Sequence, residues 1–352
     1  MTDRQPGWPG PGPVTLRDVP GHRPSSGPID LPDPLGPLGP LLADHAVTEV
    51  VVNGGGDVWV ERHGRLRQAV VCLGVDERLG LLERLLAPLG RRLDRLSPIV
   101  DARLADGSRL AAAVPPVAPD GPCLAIRRPS SVTLELSAFA APDVAELLVA
   151  AVRGRCNIVV SGATSSGKTT LLNALAAWVA PAERVVTLED VAELRLPLPH
   201  VVRLECRPPT ADGLGGIDLR TLVRAALRLR PDRLVVGEVR GPEALDMLQA
   251  LSTGHDGSLT TCHANGALDA LGRLELLALL ADADLPHRAL QEQLHGAIDL
   301  VVHVVRGRDG RREVAEVVEL APPPLDAGTA RVRVVARPGA VLGELSRLRS
   351  AG

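Results

Sequence analysis

The stretch Gly162-Ala163-Thr164-Ser165-Ser166-Gly167-Lys168-Thr169 constrains this chain more than any other. It matches G-x-x-x-x-G-K-[ST]. An apolar run precedes it, Asn157 to Ser161, and an amphipathic run follows, Lys168 to Val179, with Leu171, Leu175 and Trp178 on one helical face. Strand, glycine loop and helix is the order the motif's mechanism needs. The glycines let backbone N–H groups wrap a phosphate, the helix N-terminus adds its dipole, the lysine reaches the β- and γ-phosphates, and the threonine hydroxyl can ligate Mg²⁺. Of 39 basic residues, Lys168 is the single lysine. A bland Gly-Ser turn would not need that strand and that helix. The candidate phosphate-binding set is Gly162, Ala163, Thr164, Ser165, Ser166, Gly167, Lys168, Thr169 and Thr170, with ATP and Mg²⁺ as expected ligands.

The same alternation continues downstream. Strands are expected at Arg184 to Leu188, Arg233 to Gly237, Ser258 to Thr261, Leu300 to Val305 and Glu313 to Leu320. Helices are expected at Leu219 to Leu229, Gly241 to Leu251, Leu268 to Leu280 and Leu285 to Leu294, with an earlier one from Asp143 to Val152 capped by Asp143. Strands alternating with helices of this length imply an α/β domain, a parallel sheet covered on both faces, over 143–322. Upstream, Val47 to Val52, Asp57 to Glu61 and Arg67 to Leu73 alternate as short strands. A Leu-rich helix follows from Asp76 to Leu89, with Leu79, Leu82, Leu85 and Leu86 on its apolar face. Further strand-like stretches flank the turn Asp106-Gly107 and the loop Pro115 to Pro122. This reads as a smaller α+β domain over 41–129, joined by a linker, 130–142, between Pro129 and Pro142. Residues 1–40 hold eleven prolines and seven glycines, too little apolar surface to offset ordering, and are expected to be a flexible leader. Residues 323–352 are left as a tail.

Carboxylates at strand ends narrow the chemistry. Glu238 ends the run Arg233-Leu-Val-Val-Gly-Glu238, where it could hold Mg²⁺ through water together with Thr169. Glu189, Asp190 and Glu193 follow the strand Arg184 to Leu188 directly, a position suited to orienting an attacking water. The plain alternatives are a solvated strand end and an acidic helix start. His255 and His263 lie in Ser252 to Asn265, where an imidazole could contact the γ-phosphate. Zinc ligation by His255, Cys262 and His263 fits no common spacing.

Composition removes other classes. Hydrophobic residues make up 45%, charged residues 23%, and the net charge is -3, so neither a disordered polyelectrolyte nor a basic nucleic-acid coat fits. With one Phe, three Trp and no Tyr, a base-stacking platform is disfavoured, and no specific nucleic acid is expected as partner. The five cysteines form no C-x-x-C pair and suggest no disulfide framework. No signal-like or 18-residue apolar run occurs, which gives a cytoplasmic expectation.

The loop, the acid box Glu189 to Glu193, the strand ending Gly237-Glu238-Val239-Arg240-Gly241 and the histidine box Ser252 to Asn265 occur in an order that resembles the secretion-superfamily ATPases of type II and IV secretion and type IV and Tad (Flp) pili. Leu188 to His200 with Val201 to Leu204, Leu227 to Glu238, Pro98 to Arg109 and Ala125 to Arg128 look like the Tad pilus branch. The resemblance implies a RecA-like P-loop ATPase domain behind a regulatory N-terminal domain, a homo-oligomeric, hexameric ring, and coupling to polytopic inner-membrane platform proteins from the cytoplasmic face. It also implies that N-terminal arginines meet nucleotide phosphates when the domains close, which falls here on Arg109, Arg127 and Arg128. Expected catalytic residues are thus Glu189, Glu238, His263, Arg127 and Arg109. Rival readings are a conjugation or type IV traffic ATPase, a DNA-translocating RecA-like motor and a nucleotide-binding adaptor without turnover. Arg220, Arg224 and Arg228, at helical spacing, fit either a solvated face or a subunit interface.

Overall fold

Two kinds of apolar pattern produce two kinds of sheet in the computed structural model, which describes residues 35–62, 64–128, 134–209, 214–281, 285–307, 309–320 and 332–348. In the first part, alternating residues form β1 (Val47–Val52), β2 (Asp57–Arg62), β3 (Arg65–Cys72), β4 (Ile99–Arg103), β5 (Arg109–Ala113) and β6 (Cys123–Arg127). They pair antiparallel in the order β3-β2-β1-β6-β5-β4. Inward-facing Val50, Val52, Val58, Leu110 and Ile126 pack with α1 (Gly39–Ala43) and α2 (Val75–Leu86). On α2 the buried apolar residues are Leu81, Leu82, Leu85 and Leu86, whereas Leu79 faces solvent. Arg78 takes the remaining place on that face, buried and donating to the carbonyls of Asn53 and Pro122 at 2.9 and 2.8 Å.

The second sheet begins after α3 (Pro142–Arg153). Pro142 starts this helix with Ala141 before it, so Asp143 sits in the first turn, favourable to the helix dipole, rather than as the expected cap. The strands are β7 (Ile158–Gly162), β8 (Val185–Glu189), β9 (Val201–Glu205), β10 (Arg233–Val239), β11 (Leu259–His263), β12 (Leu300–Arg306), β13 (Arg312–Leu320), β14 (Val332–Arg337) and β15 (Ala340–Val341). Their order is β15-β14-β13-β12-β7-β11-β10-β8-β9, parallel from β12 through β9 and antiparallel from β12 through β15.

One face of this sheet carries α3 and α4 (Lys168–Ala176), packed through Leu148, Leu171 and Leu175 with Phe139. The other carries α5 (Leu219–Ala226), α6 (Glu243–Leu251), α7 (Ala267–Leu279) and α8 (His287–Ala297), packed through Val223, Leu248, Leu274 and Leu294. Strands covered on both sides explain the continuous runs of Val and Leu.

Some expectations shift. Trp178 falls beyond α4 and is partly exposed, with Arg153 5.1 Å above its ring, so it is not part of the buried face. The residues expected as a tail past 322 add β14 and β15 to the sheet. Leu38, placed in the leader, is fully buried against the first sheet, while residues 1–34 lie outside the described residues, as do 129–133 of the linker region.

Candidate active site

β7, β8, β10 and β11 end side by side at Gly162, Glu189, Val239 and His263, the carboxyl edge where open parallel sheets bind ligands. Between β7 and α4 the chain turns through Ser165 and Gly167, both left-handed, at φ 61° and 103°. A Cβ on Gly162 would lie 2.5 Å from both Ser166 Oγ and the Val304 carbonyl, so only glycine lets the loop fold this tightly. Lys168 is 8% exposed, and its Nζ donates to the Gly162 and Ala163 carbonyls at 3.1 Å each. Burial pulls its pKa down, against the pull of the Glu238 carboxylate. Ser166 Oγ is buried with no hydrogen-bond partner among the described residues. An orphaned hydroxyl, a cradle that a Cβ would fill and a desolvated ammonium fit a phosphate group.

Glu189 is 3% exposed at the end of β8. Its Oε1 accepts the Glu193 and Leu194 amides at 2.9 and 2.8 Å, while Oε2 is buried and has no hydrogen-bond partner among the described residues. Burial pushes the carboxyl up to about 7, the two amides opposing it. A carboxyl titrating there can accept a proton near neutral pH. Gly237 on β10 makes this position accessible, since a Cβ there would lie 2.9 Å from Glu189 Cγ. Next along, Glu238 pairs with Arg240 at 2.7 Å. His263, paired in register with Gly162, lies 3.4 Å through Nδ1 from Thr164 Oγ1. His255 precedes the opposite end of β11, where its Nδ1 lies 3.0 Å from the Ala250 carbonyl. His263 therefore lies at the loop and His255 does not, and among the described residues the two do not gather with Cys262 into a cluster that could hold a metal ion.

Two of the three N-terminal arginines face this edge. Arg109 and Arg127 are cross-strand partners on β5 and β6. Arg109 is held by Asp101, its Nη2 at 2.5 Å and its Nε at 3.1 Å, and feels the charges of Glu193 and Asp190. Arg127 acts on the other side, its charge depressing the pKa of Lys168. Arg128 turns away, bonded to the Asp44 carbonyl at 2.8 Å and near His45. A further ion pair, Arg103 with Glu205 at 3.0 Å, joins β4 to β9.

The family model described as "Type II/IV secretion system protein" matches residues 33–328. The chain belongs to this family. A putative conjugal transfer protein of Mycobacterium tuberculosis is 42% identical over 297 residues, covering 81% of this chain and 84% of that protein. The type IV secretion system protein PtlH of Bordetella pertussis is 36% identical over 312 residues, covering 80% and 92%. The solved ATPase DotB of Legionella pneumophila shares the fold with a TM-score of 0.55 at 22% identity, covering 76% of this chain and 75% of that one. The α/β class with a RecA-like fold stands on these matches together with the sheet order.

For a type II/IV secretion family member, two features went unseen in the sequence. Arg312, at the start of β13, lies against Gly167 and donates to Thr170 Oγ1 at 3.3 Å. With arginine spread over the whole chain, nothing marked this one out. The helical row of arginines also makes contacts that the spacing did not report. Arg220 and Arg224 both bind Asp246 of α6, at 2.5 and 2.7 Å, and so clamp α5 to its neighbour, while Arg228 falls in the turn after α5.

Proposed function

We propose that this family member hydrolyses ATP and converts closure of its N-terminal domain, 41–129, on its ATPase domain, 143–322, into mechanical work within a hexameric ring. The observation that carries the reading is that charges of the two domains act on one another at one sheet edge: Arg127 on Lys168, and Asp190 and Glu193 on Arg109. In this reading Gly162, Ala163, Thr164, Ser165, Ser166, Gly167 and Thr170 wrap the phosphates while Lys168 draws the γ end. Thr169 and Glu238 would hold Mg²⁺, which would neutralise charge on the β- and γ-phosphates. Glu189 accepts the proton of the attacking water, His263 senses the γ position through Thr164, and Arg109 and Arg127 bring positive charge as the domains close.

The work is done on polytopic inner-membrane proteins of a pilus or secretion platform, with this chain held at the cytoplasmic face. Among the described residues no helix is long and apolar enough to cross a membrane. The residues from Leu188 to Leu204 favour Tad pilus assembly. The names carried by the relatives favour a second reading, type IV secretion or conjugation. The test is co-purification from solubilised membranes with full-length Glu238→Gln as bait. Recovery of a polytopic pilus or secretion protein supports the reading, and recovery of DNA in its place overturns it in favour of a DNA motor.

A further inference from the structure

Arg312 closes on the phosphate loop from outside it, and the charges of Arg306 and Arg127 act on it. Arg127 comes from β6, and Arg306 and Arg312 are cross-strand partners on β12 and β13. The Cδ and Nε of Arg312 lie 2.5 and 3.0 Å from where a Cβ on Gly167 would stand, so the side chain lies over the last glycine of the loop. Its Nη1 then reaches the Thr170 hydroxyl in the first turn of α4. Among the described residues, none of these three arginines forms an ion pair with a carboxylate. Burial depresses the Arg312 pKa, and the neighbouring charges of Arg306 and Arg127 depress it further. Like charges gathered in a partly desolvated place cost free energy that an arriving polyanion returns.

We infer that Arg312 is a second phosphate-binding side chain, holding the α,β-diphosphate end of the nucleotide from within the ATPase domain. The inference rests on the nucleotide reading above. Its direction follows from where the two cations are anchored. Lys168 Nζ is held at Gly162 and Ala163, where the loop starts, whereas Arg312 is held at Gly167 and Thr170, where the loop passes into the helix. Loop amides and the helix start cradle the α- and β-phosphates while the lysine serves the β and γ. Arg312 therefore acts without domain closure and serves ADP and ATP alike, in contrast to Arg127, which arrives from the other domain.

The test uses the full chain, ADP and ATP carrying a fluorescent ribose label, and the variants Arg312→Gln and Arg312→Lys. Arg312→Gln is expected to weaken both nucleotides by a similar factor, about ten- to a hundredfold, the scale of a lost charge-assisted hydrogen bond. Arg312→Lys is expected to recover part of that loss. The nucleotide-free thermal midpoint of Arg312→Gln should hold or rise, because repulsion is relieved. Unchanged ADP affinity, or a loss confined to ATP, would overturn the assignment. If the nucleotide-free midpoint falls as well, Arg312→Lys decides: recovered ADP affinity supports the phosphate contact, and a recovered midpoint alone contradicts it. A wild-type chain that binds neither nucleotide would remove the nucleotide reading itself, and this inference with it.

Discussion

The two edges of the parallel sheet treat buried positive charge in opposite ways. At the amino edge, Arg233 opens β10 at 1% exposure and spends its donors on fixed partners. Glu183 takes its Nε and Nη2 at 2.8 Å each, and the Val152 and Gly257 carbonyls take Nη1 at 2.8 and 3.2 Å. Arg155 completes the cluster at 2.6 Å from Glu183. Gly257, at φ 83°, leaves the room, since a Cβ there would lie 2.5 Å from Arg233 Nη1. At the carboxyl edge, among the described residues, Lys168 hydrogen-bonds only carbonyls of its own loop, Arg312 a single hydroxyl, and Ser166 Oγ and Glu189 Oε2 are orphaned. Saturated charge is framework. Charge left wanting partners marks the place where a ligand must supply them.

Breaking each edge should therefore break different things. The largest effect is expected from Lys168→Ala, which should abolish phosphate release while the circular dichroism spectrum stays unchanged. Because burial already works against this ammonium, the nucleotide-free thermal midpoint should hold or rise. Retained turnover with an unchanged spectrum would break the contrast at the carboxyl edge.

Next comes Glu189→Gln, expected to slow turnover by orders of magnitude with nucleotide still bound. In the wild type the carboxyl is protonated below about 7 and ionised above, so turnover should climb as pH rises through that value. The residual activity of Glu189→Gln should lose that rise, and a pH profile identical to the wild type would remove the proton-accepting role.

Arg233→Ala sharpens the other side. It takes two hydrogen bonds from Glu183, leaving Arg155 as its cationic partner, and should cost stability by about 1.5–3 kcal/mol, read by urea unfolding, while turnover per folded molecule is kept. Burial raises the Glu183 carboxyl, but the Arg233 and Arg155 guanidiniums prevail and hold it below the usual range. The stabilisation is thus present at neutral pH and is lost as acid protonates the carboxyl. A variant as stable as the wild type at neutral pH would show that the amino edge is not a framework cluster.

What the sequence made legible follows physical locality. The phosphate loop could be read because its glycines, its lysine and the flanking strand and helix lie within one short stretch. The strands of the parallel core could be read because burial on both faces leaves unbroken apolar runs. β9 was harder, an edge strand of half-buried residues behind the proline-broken stretch up to His200. β14 was hidden by distance from β13 and by the proline-rich composition between them. His255 was misplaced because eight residues of sequence look close, yet the extended strand β11 between it and His263 carries the chain away by about 3.3 Å per residue. Arg312 meets the loop only through sheet pairing, which no local pattern reports.

The most direct measurement is competition by adenosine, AMP, ADP and ATP against a fluorescent nucleotide on the full chain with Mg²⁺. Unneutralised cations at the carboxyl edge predict that affinity climbs steeply from adenosine to ADP. They also predict that the climb flattens in Lys168→Ala and not in Arg233→Ala. Adenosine competing as well as ATP, or a climb untouched by Lys168→Ala, would contradict the account.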